Sequence, residues 1–269
     1  MDPEFETAAI AIYTGQLEGL ASELTANPGL VTRRSTCGHP TLLQLVACDH
    51  VDIVDPVGAA RVLVDHGAET WPEVVAAAGC NSTAVLQFLI DSGADYDKKD
   101  TWAPLEEALY WASQDTLELL VEQKAAIRSL AAAAGLGDLE ELEGFLDGDP
   151  IDNDAGPIRS PFPDTVPDEL ANDPSAIVDH AFVMAVNSGQ LAAAKRLHVA
   201  GARVNNRPPG YHWNGTALHA ACWRGNSTLV SWLMSIGADP TIRDGLANAD
   251  AAGWANHHGH PELMPLLEN

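Results

Sequence analysis

The side chains with the most chemical capacity crowd into the last third of the sequence. His212 adjoins Trp213, Trp223 adjoins Arg224, and His257, His258 and His260 bracket Gly259. Imidazoles titrate near neutral pH, so His212, His257 and His258 are candidate proton carriers, with Asp250 or Asp244 near enough in sequence to orient one of them. Trp213 and Trp223 are candidate walls of a pocket for an aromatic ligand. A metal pair would need His257 and His260 on one helical turn, which Gly259 opposes, so no metal is predicted. Cys222 follows His219 closely, but their helical positions suit packing better than a nucleophile–base couple. Nothing resembles a nucleophile elbow, a phosphate-cradling glycine loop or a dinucleotide fingerprint, so no cofactor is predicted.

Bulk properties narrow the classes. Against 38 acidic residues stand 14 basic ones, a formal net charge of −24. Such a chain repels phosphate backbones and shows no local basic stripe, so nucleic acid is excluded as a partner. A basic protein surface or a cationic small molecule would be attracted instead. No apolar run approaches the ~20 residues that cross a bilayer. The start, Met1-Asp2-Pro3-Glu4-Phe5, lacks the basic and apolar regions of a signal peptide and resembles a cloning scar. A soluble, cytoplasmic chain without membrane association is expected, and its low lysine content fits a bacterial sequence. Cys37, Cys48, Cys80 and Cys222 make no C-x-x-C pair, and each reads as a small thiol at a helix contact.

The stretch from Tyr211 to Asp244 shows what must position these residues. Leu218, Ala221 and Cys222 share one side of a first helix, and Gly225-Asn226 breaks it. Leu229, Val230, Leu233 and Met234 pattern a second helix, closed by Gly237-Ala238-Asp239-Pro240. Thr216-Ala217-Leu218-His219-Ala220-Ala221 matches the ankyrin signature T-P-L-H-x-A except at Ala217, so the chain resembles an ankyrin-repeat protein.

The pattern recurs along the chain. The Gly-Ala ending returns at Gly67-Ala68-Glu69, Gly93-Ala94-Asp95 and Gly201-Ala202, at intervals near the ankyrin period of ~33 residues. Degenerate starts appear at His39-Pro40-Thr41-Leu42, Trp71-Pro72 and Ala103-Pro104-Leu105, and an irregular insertion spans Asp49 to Asp55. The resemblance implies an all-α solenoid of stacked helix–turn–helix units. About five repeats fill residues 6–146 and about three fill 176–269. Residues 147–175, rich in Pro and Asp, have little to bury and read as a surface insertion or hinge, disordered at its centre.

The resemblance also implies where partners touch. Family members use a concave side, built from the turn before each first helix and the two residues before its closing glycine. Carried across, this singles out His212 and Trp213, Trp223 and Arg224, His257 and His258, Asn187 and Ser188, and in the fourth unit Tyr110 and Trp111 before Ala112. Thr216 and His219 are assigned structural roles, a helix cap and a tie between units. The expected function is protein–protein interaction through an aromatic, His-rich surface. The alternative is a small-molecule binder or atypical enzyme using His212, His257, His258 and Asp250 for acid–base chemistry.

Overall fold

The structure is a computed structural model that describes residues 2–36, 38–99, 101–147 and 156–268. Met1, Cys37, Asp100, Asn269 and residues 148–155 at the start of the Pro/Asp-rich stretch lie outside the described residues. All regular structure among those residues is helical, and no helix is long and apolar enough to cross a membrane. The chain divides into two compact units, Met1–Ala125 and Ala126–Asn269.

The first unit holds α1 (Glu6–Tyr13), α2 (Leu17–Ala26), α3 (Leu42–Cys48), α4 (Pro56–Asp65), α5 (Glu73–Gly79), α6 (Thr83–Asp91), α7 (Pro104–Trp111) and α8 (Gln114–Glu122). The second holds α9 (Leu130–Leu136), α10 (Leu139–Leu146), the single turn α11 (Asp168–Ala171), α12 (Pro174–Asn187), α13 (Leu191–Val199), α14 (Ala217–Trp223), α15 (Ser227–Ser235), α16 (Ala251–His257) and α17 (Met264–Leu267). Within the first unit α1, α3, α5 and α7 pack in succession, and α2, α4, α6 and α8 do likewise. Within the second, α12 lies between α9 and α14, and α14 between α12 and α16.

One closing motif makes these pairs. The N–H groups of Gln16, Ser82, Ser113, Asp138, Gln190, Asn226 and His260 each donate to an alanine carbonyl five residues back, at 2.8–3.1 Å. Second helices close identically on leucine: Ala68, Ala94, Ala125, Ala202 and Ala238 donate to Leu63, Leu89, Leu120, Leu197 and Leu233, each at 3.0 Å. Both are Schellman closures, which need a left-handed residue just before the donor. Glycine usually supplies it, but Asn81, Ala112 and Lys124 adopt it at φ 55°, 57° and 60°. Ala112 thus fills the place of the missing glycine at some conformational cost. After α3 the motif is replaced by a 3₁₀ turn, His50–Asp52, before Asp55 caps α4 through Gly58 N–H at 2.8 Å.

At two junctions side chains tie one pair to the next across one period. Asn81 accepts from the N–H of Asp115 at 3.0 Å, and Asn205 from the N–H of Asp239 at 2.8 Å, both 34 residues on. Ser113 Oγ donates to the Gly79 carbonyl at 2.5 Å, also across 34 residues.

The described part of the Pro/Asp-rich stretch buries more than its composition implies. Ile158 and Ser160 are buried, and a 3₁₀ turn forms at Pro163–Thr165. Ser160 Oγ donates to the Gly210 carbonyl at 2.7 Å, and Gly210 N–H donates to the Thr165 carbonyl at 3.3 Å. Gly210 has φ +94°, and a Cβ there would stand 2.7 Å from His180 Cε1, so both conformation and close approach require glycine. His180 itself is buried on α12, hydrogen-bonds the Pro209 carbonyl through Nδ1 at 2.9 Å and stacks on Tyr211 at 4.7 Å. Composition hid this because apolar anchors are few, yet each fills a specific slot.

Burial drives the His180 pKa down to about 4, from an ordinary 6.5, so the fold favours the neutral ring. That preference stabilises fully above pH 6.5 and is lost as pH falls from 6.5 toward 4, on the order of 3 kcal/mol in all. His180→Gln should therefore flatten the dependence of melting temperature on pH across that window. Parallel slopes for the two proteins in calorimetric scans would show that His180 is not the group responsible.

Candidate functional site

The second unit gathers most of the singled-out residues. Because α14 packs between α12 and α16, the C-terminal ends of these three helices neighbour one another. Each is turned by a left-handed glycine: Gly189, Gly225 and Gly259. The residues just before these glycines form a row of Asn187-Ser188, Trp223-Arg224 and His257-His258. Arg224 Nε donates to Asn187 Oδ1 at 3.1 Å, its guanidinium lies 4.2 Å from the Trp223 ring centre, and the rings of Trp223 and His258 are 5.5 Å apart. Trp223, Arg224 and His258 are half-buried, while His257 is exposed with its ring 4.9 Å from that of His258.

Burial lowers the Arg224 pKa to about 10, which leaves the guanidinium charged at neutral pH. The His258 pKa is lowered by burial first, then by the charges of His257, His260 and Arg224. The row thus sets one charged guanidinium among aromatic rings and imidazoles within an acidic chain.

Beneath it lies an aromatic core. Trp213 is fully buried, edge-on to Trp223 at 5.2 Å and to Trp254 at 6.1 Å, and tilted against Tyr211 at 4.7 Å. Its expected place on the contact surface is corrected: a side chain in the turn before a helix can face inward, and here the indole fills space between neighbouring pairs. His212 remains half-buried, with Phe162 of the Pro/Asp-rich stretch 4.8 Å away, and burial lowers its pKa.

His219 links α14 to the next pair. Its Nδ1 accepts the Thr216 backbone N–H at 3.1 Å and lies 2.9 Å from the Thr216 hydroxyl, while Nε2 meets the Ala249 carbonyl at 3.3 Å. Thr216 stands at the N-cap, where the imidazole accepts its N–H as the side chain of a capping box would. Asp244 organises the loop into α16, accepting from the N–H groups of Leu246, Ala247 and Ala249 at 2.6–2.8 Å and from Trp254 Nε1 at 2.9 Å. Burial pushes its pKa up, but these donors outweigh burial and hold the carboxyl below its ordinary value. Asp250 caps α16 through Gly253 N–H at 2.9 Å. Both acids thus have backbone work, which leaves the orienting role read from sequence without geometric support. Among the described residues, no group of three or more His, Cys, Asp or Glu side chains could hold a metal ion.

Tyr110 and Trp111 belong to the first unit. Tyr110 is fully buried, edge-on to Trp102 at 6.0 Å and to Trp111 at 5.1 Å, which corrects its reading as a contact residue. Trp111 is half-buried and donates from Nε1 to Glu107 Oε1 at 2.9 Å, while Trp102 donates to the other carboxylate oxygen. Burial raises the Glu107 pKa against the lowering effect of both indoles. Sequence reading missed Glu107, whose only signal was a carboxylate one helical turn before Trp111 and five residues after Trp102.

Repeated short helix pairs with identical closures define a repeat protein. Residues 180–234, from α12 to α15, match the family model for ankyrin repeats in many copies, and the chain therefore carries ankyrin repeats. Among solved structures, the human ASB11 ankyrin repeat domain is 18% identical, with 100% of this chain and 99% of that one covered and a TM-score of 0.43. The ankyrin repeat domain of Bcl-3, described as a unique member of the IkappaB protein family, is 20% identical over 96% and 97%, with a TM-score of 0.42. No curated protein matches the sequence.

Asp244→Ala should lower unfolding free energy by about 2–3 kcal/mol, because three loop amides and the Trp254 indole lose their acceptor. Urea titration followed by tryptophan fluorescence measures it. A loss under about 0.5 kcal/mol would mean that water replaces the carboxylate without cost.

Proposed function

We propose that the second unit is a protein-binding module whose contact surface is the row Trp223, Arg224, His257 and His258, flanked by His212. The carrying observation is Arg224, held between Asn187 Oδ1 and the face of Trp223. A guanidinium already fixed in place loses little side-chain freedom on binding, which favours affinity. Half-buried Trp and Arg beside an exposed imidazole is the composition that anchors interfaces. Ankyrin repeat domains typically act in protein interaction, which supports the same reading.

The chemistry of the row selects the partner. Arg224 and the imidazoles suit a carboxylate or carbonyl acceptor next to an aromatic or aliphatic side chain. The wider surface carries the opposite sign, so basic residues around that acceptor would speed encounter. The partner segment is therefore a mixed one: an acidic and apolar centre with a basic margin.

The test uses substitutions that spare the core. Trp223 touches Trp213 and Trp254, so its truncation would mix binding with stability. Arg224→Ala and His257→Ala remove surface groups instead. With a partner captured from native extract and then purified, the double variant should weaken affinity by more than tenfold in calorimetry. Val199→Ser, at a side chain 80% exposed elsewhere on this unit, should leave affinity unchanged. Equal affinity for the double variant and the parent would move the contact surface off this row.

A further inference from the structure

α3 and α5 are adjacent first helices that pack together, and each ends in a cysteine. Cys48 is the last residue of α3, and Cys80 directly follows α5. Both thiols are free, both are half-buried, and they hydrogen-bond to each other. Cys80 stands just before left-handed Asn81, the same slot that Arg224 and His258 occupy before their glycines. Both residues keep part of their surface accessible, which is enough for a small oxidant to reach the pair.

We propose that Cys48 and Cys80 are a peroxide-responsive thiol pair that closes into a disulfide joining α3 to α5. This modification site is independent of the protein-binding reading and lies in the other unit.

The shared hydrogen bond sets the direction of the chemistry. It raises the pKa of Cys48, with burial adding to the rise, and lowers that of Cys80 against burial and the nearby Glu107 and Asp49 carboxylates. The sulfur that accepts the shared hydrogen bond is the better attacking one, and the proposal assigns that part to Cys80. The Cys80 sulfur attacks one oxygen of hydrogen peroxide, the O–O bond breaks, and the departing oxygen leaves as water after taking a proton. Cys80 is then a sulfenic acid. The Cys48 sulfur attacks the Cys80 sulfur, the S–S bond forms, the S–O bond breaks, and a second water carries away the Cys48 proton. Two thiols lose two electrons in total, and one peroxide gains them. Cys222 differs in kind: it is fully buried, and burial pushes its pKa up to about 12.

The experiment treats the reduced full-length chain with hydrogen peroxide and maps it by mass spectrometry without reductant. The expected product joins the peptides carrying Cys48 and Cys80, is lighter by two hydrogens and reverts with dithiothreitol. Cys48→Ser should stop at a Cys80 sulfenic acid that dimedone traps. Cys80→Ser should react at least tenfold more slowly at Cys48, and Cys37→Ser should oxidise like the parent. A linkage through Cys37 or Cys222, a bond only between separate chains, or overoxidation of both thiols without linkage would each overturn the proposal. The parent's own peptide map decides the matter even where a serine variant fails to fold.

Discussion

The hydrogen bond that closes most of these helices, many after only two turns, is the constraint from which the rest follows. A helix of seven to ten residues, as in α3, α4, α5 and α14, is unstable alone in water. Its stability comes from an apolar face that the paired helix covers only in part. The neighbouring pair must cover the remainder, as α14 does between α12 and α16. Closure on alanine in the first helices, at Ala77, Ala108, Ala185 and Ala221, keeps that end thin and lets adjacent first helices approach closely. Leucine at the second-helix closures, such as Leu63 and Leu233, is fully buried and fills the space there.

The same closure creates the surface. A left-handed residue ends the helix abruptly, so the side chains just before it stand at a helix terminus with no following turn to cover them. In the second unit those positions hold Trp223-Arg224 and His257-His258, and in the first they hold Cys80 and Trp111. Side chains at these slots take no part in the backbone bond that makes the turn, so residue type can vary there except where, as at Trp223, the side chain also packs on the core. Asp244 and His219 then fix the loop between α15 and α16, so the slots of adjacent pairs stay at a defined spacing.

How far this was legible in sequence depends on which force decides each residue. The Gly-Ala endings and the Thr216–Ala221 signature report backbone conformation, which is local, so the helix pairs could be read directly. Trp213 and Trp223 could not be told apart, since both occupy contact slots by spacing. Only the later-arriving ring of Trp254 and the tilted ring of Tyr211 make Trp213 interior. Tyr110 and Trp111 divide in the same way: Glu107 tethers the second, while Trp102 and Trp111 enclose the first. Cys48 and Cys80 were read as separate buried thiols because the 3₁₀ turn after α3 breaks the repeat register that would have aligned them.

Trp223 belongs to core and surface together, and in the proposed binding mode this would couple binding to stability. One edge of its ring rests on Trp213 and Trp254, while Arg224 lies over it and His258 beside it. A ring held by three aromatic neighbours keeps its orientation when the partner is absent, so the guanidinium above it is held as well. Preorganisation of this kind reduces the entropy lost on association more than it adds contact energy. The consequence concerns rates: loosening Trp213 or Trp254 would weaken binding through faster dissociation, although neither indole reaches the partner. On the proposed binding mode the aromatic core would be part of the binding device, acting through the one residue that both layers share.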